Sequence, residues 1–144
     1  MVAVDTNVVL RYLLWDDPEQ ALKAARVIND SADVLITDVV LVETLWTLQG
    51  KKYKLNKSTL IKVVHALFSE PNIHFEDDQT VWRALNDFRQ AKSVKVGNKQ
   101  KTAGFADALV VHKAKFYAAS KSKTLDAVYT FDTAAQAIPG TAKP

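Results

Sequence analysis

Four carboxylates occupy positions where an ordinary solvated acid is not expected. Asp5 directly follows the apolar segment Val2-Ala3-Val4, and Asp132 directly follows an apolar segment ending in Phe131. Both therefore fall at the carboxyl ends of strand candidates, the edge at which open α/β sheets bind ligands. Glu43 has Val39, Val40, Trp46 and Thr47 at three and four residues' distance, and Asp107 has Ala103, Gly104, Val110 and Val111. On helices these spacings share a face, so each acid is expected on an apolar one. No Lys or Arg occupies those neighbouring positions, and an unpaired buried carboxylate is costly. A bound divalent cation, which takes hard oxygen ligands, would offset all four charges at once. The local alternatives are that Asp5 and Asp132 cap the helices that follow them, and that Glu43 and Asp107 reach water or pair across the fold.

The elements that must carry these residues alternate. Val2–Val4 reads as a short strand and Thr6–Trp15 as a helix. Asp17 caps the next helix, with Pro18 at its first position and an end near Ile28. Asp33–Ile36 is a strand, followed by a helix capped by Thr37 and ended by Gly50. Ser58 is the expected cap of a helix to Phe68, Ile73–Phe75 a third strand, and Asp78–Gln90 an amphipathic helix carrying Val81, Trp82, Leu85 and Phe88. Ser93–Ala103 is polar, contains Gly97 and reads as a loop. Phe105–Ala119 is helical, Ala127–Phe131 a strand and Thr133–Ala137 a short helix. This order predicts an α/β fold, three-layered α/β/α, with a central, mainly parallel sheet and helices on both faces.

Length and composition bound the function. At 144 residues the chain suits one domain, residues 1–144, since domains commonly run roughly 100–200 residues. With 48% hydrophobic and 24% charged residues it is not a disordered chain. Zero Cys excludes a disulfide scaffold, a thiolate nucleophile and a Cys-ligated zinc site. The longest apolar run at Val39–Val42 is far short of the roughly 20 residues of a membrane span, and no signal segment opens the chain, so a soluble cytoplasmic protein is expected. The net charge is +3, unevenly spread. Gly50–Val64, Phe88–Ala106 and Ala108–Leu125 each carry four or five Lys or Arg, with Asp107 lying between the last two runs. Clustered Lys neutralises backbone phosphates, so a nucleic-acid partner is indicated.

With these residues in place, a family resemblance is visible. Val4-Asp5-Thr6-Asn7-Val8 resembles the opening of the PIN-domain ribonucleases, most closely the VapC-type toxins of toxin–antitoxin pairs. Asp16-Asp17-Pro18-Glu19-Gln20 is similar to that family's turn after the first helix. Val40-Leu41-Val42-Glu43 with Trp46, then Phe105-Ala106-Asp107-Ala108-Leu109, then Thr130-Phe131-Asp132, resemble its later acidic motifs in order. The resemblance implies an Mg²⁺- or Mn²⁺-dependent endoribonuclease with Asp5, Glu43, Asp107 and Asp132 as its acidic quartet. It also implies a VapB-like antitoxin that covers the active-site groove, and a homodimer. Asp5 is the expected ligand shared by two ions or central to a single one, with Asp107 and Asp132 completing coordination directly or through water and Glu43 holding a metal-bound water or orienting the attacking one. Thr6 and Asn7 would line the site and Thr130 would support Asp132. Two departures stand out: Gly104 leaves no acid directly before Phe105, and the 93–103 stretch is longer and richer in Lys than usual. Lys92, Lys95, Lys99 and Lys101 in and beside that stretch are the candidate RNA contacts.

Other side chains read as structural. His65 and His74 suit a packed helix and an exposed strand face, and His112 lies off the face of Asp107. Trp15, Trp46 and Trp82 stand at apolar helical spacing and are expected in the core rather than as stacking platforms. Three rival functions fit less well. A haloacid-dehalogenase-type phosphatase wants a second Asp two residues after the first, where this chain has Asn7. A phospho-acceptor receiver module wants paired acids at the first strand and a Lys near the last, and neither is present. A non-catalytic RNA-binding module would not need the acid quartet.

Overall fold

The chain begins with the short β1 (Val2–Ala3), whose following residue, Val4, is buried before the backbone turns at Asp5 into α1 (Thr6–Leu14). A computed structural model describes all residues, Met1–Pro144, and divides them into two compact units, Met1–Asp78 and Gln79–Pro144.

In the first unit α1 is followed by α2 (Pro18–Asp30), β2 (Val34–Ile36), α3 (Asp38–Gln49), α4 (Lys57–Ser69) and β3 (Ile73–Phe75). The three strands form a parallel sheet in the order β1-β2-β3, with Val34 opposite both Val2 and Ile73. The central strand, Val34-Leu35-Ile36, is apolar throughout, as a parallel strand covered on both faces must be. Parallel pairing demands crossovers, and these are supplied by α1 with α2 and by α3 with α4. The α/β class with a parallel sheet is thus as expected. Ile28, Ile36, Leu41, Leu48, Leu60 and Leu67 are almost fully buried. Each such side chain contributes about 1.5–3 kcal/mol relative to exposure.

Helix starts follow the expected chemistry with one exception. Asp17 accepts a hydrogen bond from the Gln20 amide at 3.1 Å, with Pro18 at the first helical position, and Thr37 accepts from Val40 at 3.5 Å. The fourth helix, however, is capped by Asn56 rather than Ser58. Asn56 Oδ1 accepts from both the backbone amide and the hydroxyl of Thr59, each at 2.9 Å, which starts the helix at Lys57. His74 lies half-buried on β3 and meets Asp33 at 2.8 Å.

The second unit opens with α5 (Asp78–Gln90), which buries Val81, Ala84, Leu85 and Phe88 along one stripe. The polar 93–103 stretch, expected as a loop, is instead an antiparallel hairpin, β4 (Val94–Val96) and β5 (Lys99–Lys101), with Lys95 opposite Gln100. Its two-residue turn is Gly97-Asn98, and Gly97 sits at φ +61°, the first-position conformation that tight hairpin turns require. The alternation Val94, Lys95, Val96 was the available signal for a strand, masked by the Lys content.

After the hairpin, α6 (Phe105–Ser120) lies against α5 through an edge-on contact between Phe88 and Phe105, ring centroids 6.1 Å apart. His112 also joins the two helices, 2.7 Å from Asp87. The last strand candidate is shorter than expected: β6 is Val128–Tyr129 alone. It pairs in parallel with an unanticipated β7 (Thr141–Ala142), and the link between them contains a single 3₁₀ turn, Ala135–Ala137, instead of a helix from Thr133.

The three tryptophans are not core residues. Trp15, at the end of its helix, is 50% exposed, Trp46, opposite the buried stripe of α3, 76%, and Trp82, on the flank of the buried stripe of α5, 44%.

A polar clamp fixes the α1–α2 corner. Arg11 donates to Asp16 at 2.7 Å and to Gln20 at 2.8 Å, and the Tyr53 hydroxyl donates to Asp16 at 3.0 Å. The Arg11 hydrogen bond holds the Asp16 carboxyl below its usual range against the opposing effect of burial, and the Tyr53 hydroxyl adds to the lowering. A carboxylate with a depressed folded pKa contributes stability that is present above its unfolded pKa and is lost as pH falls through the folded value. The expected outcome is that Asp16→Asn melts below the wild type at neutral pH. The difference should close as the pH falls below the ordinary Asp range, near about 4. Thermal melts of both proteins across that interval check it, and a gap that persists in acid would show that the charge is not its source.

Candidate active site

Three of the four predicted acids are positioned by the same device, a carboxylate oxygen accepting from backbone N–H groups at a helix start. The first N–H groups of any helix lack intrahelical partners, so a side-chain oxygen is favoured there. In the first unit Asp5 is the N-cap of α1, with extended backbone, and its Oδ1 accepts from the Val8 amide at 3.0 Å. In the second unit Asp107 stands in the first turn of α6. Its Oδ2 accepts from the Gly104 amide at 2.7 Å, reaching back over a cap residue that has no side chain of its own. Asp132 precedes the 3₁₀ turn, and its Oδ1 accepts from Ala134 at 2.9 Å and Ala135 at 3.3 Å.

The remaining oxygen of each of these aspartates, Asp5 Oδ2, Asp107 Oδ1 and Asp132 Oδ2, has no hydrogen-bond partner in the chain. Glu43, in the middle of α3, has a carboxylate with no partner at all. None of the four forms an ion pair. A carboxylate with one oxygen tethered and the other bare is a suitable hard ligand for Mg²⁺ or Mn²⁺, which favour oxygen donors and few direct protein bonds. The donor chemistry of these residues therefore fits such an ion. No group of three or more Asp, Glu or His side chains stands at metal-holding spacing in the structure.

The capping alternative is thus realised for Asp5 and Asp132, and it leaves an oxygen on each available. The expectation of buried acids is not met. Asp5, Glu43 and Asp132 are exposed and Asp107 is half-buried. For Glu43 the reason lies in its helix. α3 buries Leu41, Thr44, Leu45 and Leu48, while Val39, Glu43 and Trp46 line the opposite side, with Val39 73% exposed. The helix is apolar on both sides, so the residues near Glu43 were apolar without being core. Neither desolvation nor the lack of a cationic partner sets these acids apart, since Asp17, Asp30 and Asp126 also lack one; what distinguishes them is their place at the motif positions.

The supporting residues sit as follows. Thr6 is buried at the start of α1, and Asn7 is exposed on the rim of a groove of about 220 Å³ between α1 and α2. The Thr130 hydroxyl accepts from the Asp132 backbone amide at 3.0 Å, and Gln136 donates to the Thr130 carbonyl at 3.0 Å, which ties the backbone of this turn together. Lys95, Lys99 and Lys101 project from the hairpin and Lys92 from the segment before it, all exposed. Strand alternation places Lys95 on one hairpin face and Lys99 and Lys101 on the other. Two exposed aromatic rings beside candidate acids were not anticipated: Trp46, one turn beyond Glu43, and Phe131, 83% exposed before Asp132.

The fold is a mixed α/β chain with a parallel sheet, and three of its acids cap helix or 3₁₀ starts with one oxygen left free. Comparison with known families makes this specific: the profile of the PIN domain matches residues 2–140, and the chain belongs to that family. PIN domains are generally nucleases that act on nucleic acids with divalent metal ions. No curated protein matches the chain. No helix is long and apolar enough to cross a membrane.

The capping role of Asp5 has a measurable signature. Asn is as good an N-cap as Asp, whereas Ala is not. Asp5→Asn is expected to melt near the wild type, and Asp5→Ala to lose about 0.5–2 kcal/mol. Denaturant titration of the metal-free proteins checks this. Equal losses in both variants would mean that the charge, not the cap, holds the start of α1.

Proposed function

We propose that this PIN domain is an Mg²⁺- or Mn²⁺-dependent endoribonuclease, the VapC-type toxin of a toxin–antitoxin pair, acting in the cytoplasm. The observation that carries the reading is that Asp5, Glu43, Asp107 and Asp132 stand at the acidic motif positions of a chain that belongs to the PIN family, each with at least one carboxylate oxygen left without a partner. The family match across residues 2–140 supports treating both units as one domain. It also supports the four acids serving a common site.

In this reading Asp5, Asp107 and Asp132 hold the metal through their untethered oxygens. When bound, one or two such ions lower the pKa of a coordinated water and neutralise charge developing on phosphate oxygens. The helix-start hydrogen bonds hold each carboxylate in place before metal arrives, so little ordering is left for binding to cost. Glu43 orients the attacking water and takes up its proton. Thr6 and Asn7 line the site, one of them hydrogen-bonding a phosphate oxygen or a ligand carboxylate, and Thr130 supports the turn that carries Asp132. The exposed lysines Lys92, Lys95, Lys99 and Lys101 hold the RNA backbone, which acidic groups alone would repel. A VapB-like antitoxin inhibits by placing an Arg among the acids, its planar fork matching carboxylates as the metal does. The working form is a homodimer.

Two measurements test this. Asp5→Asn should lower metal-dependent RNA cleavage by about 100-fold or more, the scale of losing one preorganised charge-stabilising group, with its melting behaviour retained. Normal cleavage by that variant would end the proposal. Changing Lys92, Lys95, Lys99 and Lys101 together to Gln should weaken RNA binding and flatten its dependence on salt by up to about 0.7 log units for each phosphate no longer neutralised. Turnover of bound RNA should change little. Parallel salt-dependence lines for the two proteins would remove the hairpin from the RNA path.

A further inference from the structure

The exposed face of α3 carries a feature that metal-ion chemistry does not use. Trp46 lies three residues beyond Glu43, on the same side of the helix, and is 76% exposed. Its indole makes no ring contact and no hydrogen bond within the chain. A single exposed apolar ring is not unusual in itself; what marks Trp46 is its place one turn beyond Glu43 and next to a basic turn.

The segment beyond it is basic. No acid occurs between Glu43 and Glu70, while Lys51, Lys52, Lys54, Lys57 and Lys62 all do. Lys51, Lys52 and Lys54 are exposed on a turn folded back on the end of α3. The Lys54 amide donates to the Gly50 carbonyl at 2.8 Å and the Leu55 amide to the Leu48 carbonyl at 2.9 Å. The Lys52 ammonium rests 5.1 Å from the centre of the Tyr53 ring. A carboxylate, an open aromatic ring and a cluster of lysines therefore follow one another along the helix and its closing turn.

We propose that Trp46 is a stacking platform for a base of single-stranded RNA, and that Lys51, Lys52 and Lys54 grip the backbone of the same strand. Rings that stack bases beside a basic track are the general solution to binding single strands, because every base has a π face and every nucleotide a charge. A protein partner fits this face less well. A helix or second copy docking here would need adjoining apolar anchors, but Val39 and Trp46 are separated by the charge of Glu43, and the neighbouring turn is lysine-rich. Glu and Lys are both depleted at protein interfaces. The inference deepens the nuclease reading and rests on it for the identity of the strand.

The test uses the full chain with Asp5→Asn, so that RNA is not consumed, and with Trp15→Phe and Trp82→Phe, so that Trp46 is the one indole. A single-stranded RNA of about ten nucleotides, within the span such sites cover, is titrated and indole fluorescence recorded. Saturable quenching is expected. By direct binding with labelled RNA, Trp46→Ala should weaken affinity about 5- to 100-fold, the loss expected for one stacked base. Trp46→Leu should behave like Ala, and Trp46→Phe should retain most of the affinity. Unchanged affinity in Trp46→Ala, or full affinity in Trp46→Leu, overturns the proposal. So does a change in sedimentation with RNA affinity intact, which would assign the face to a second copy. The nuclease reading is judged separately, from metal-dependent cleavage by the chain with Asp5 intact. Absence of cleavage there would end that reading while a Trp46-dependent affinity still established the platform.

Discussion

Every helix begins with backbone N–H groups that the helix itself cannot satisfy, and this chain answers that need with carboxylates that remain chemically available. Asp5, Asp107 and Asp132 each give one oxygen to N–H groups at a helix or 3₁₀ start and leave the other uncommitted. The geometry of each acid is therefore fixed by the backbone rather than by a neighbouring cation. A Lys or Arg partner would fix a carboxylate equally well but would also neutralise it, leaving nothing for a divalent ion. Asp16 shows the contrast. Arg11 and Tyr53 occupy both of its oxygens, its carboxyl is held below the usual range, and it serves the α1–α2 corner alone.

The parallel sheet supplies the placement for Asp5. Val34 and Ile36 are fully buried in the central strand, and pairing with it sets the register of β1 at Val2 and Ala3. The chain then has two residues, Val4 and Asp5, before α1 must start, so the capping position and the strand's carboxyl end coincide. A shift of one residue would turn Val4 out of the core and move the cap, so packing and site are specified by the same register.

Much of this was legible in the residues. The strands Val34–Ile36 and Ile73–Phe75, the Asp17-Pro18 helix start and the bounds of α5 follow from apolar runs and capping chemistry. Legibility failed where one signal hid another. α3 and α6 carry apolar residues on all sides, so periodicity could not show that Val39, Trp46, Val110 and Phe116 face outward. The hairpin was hidden because Lys and Gln are poor strand formers, and β4 and β5 hold only two apolar residues, Val94 and Val96. β7 consists of Thr141 and Ala142, too short for any alternation to appear. Among the candidate residues, the helix-capping places of Asp5 and Asp132 were readable from position, whereas the exposure of Trp46 and Phe131 was not.

The charge distribution completes the physical picture. A chain with a net charge of +3 has cations to spare for its acids, yet the lysines are gathered in acid-free runs and the four motif acids stay unpaired. Keeping opposite charges apart forgoes little stability, because exposed ion pairs are worth about 0–1 kcal/mol. What it preserves is larger. In the proposed nuclease the acids stay open to a divalent ion, and the lysines to a polyanion, whose binding would release counterions for each phosphate neutralised. A nuclease needs both at once, since acids without lysines would repel the substrate and lysines without acids would bind it unchanged. Segregation of charge at small thermodynamic cost is thus the condition under which one small α/β chain could do what the proposed nuclease requires, holding a metal and a nucleic acid at once.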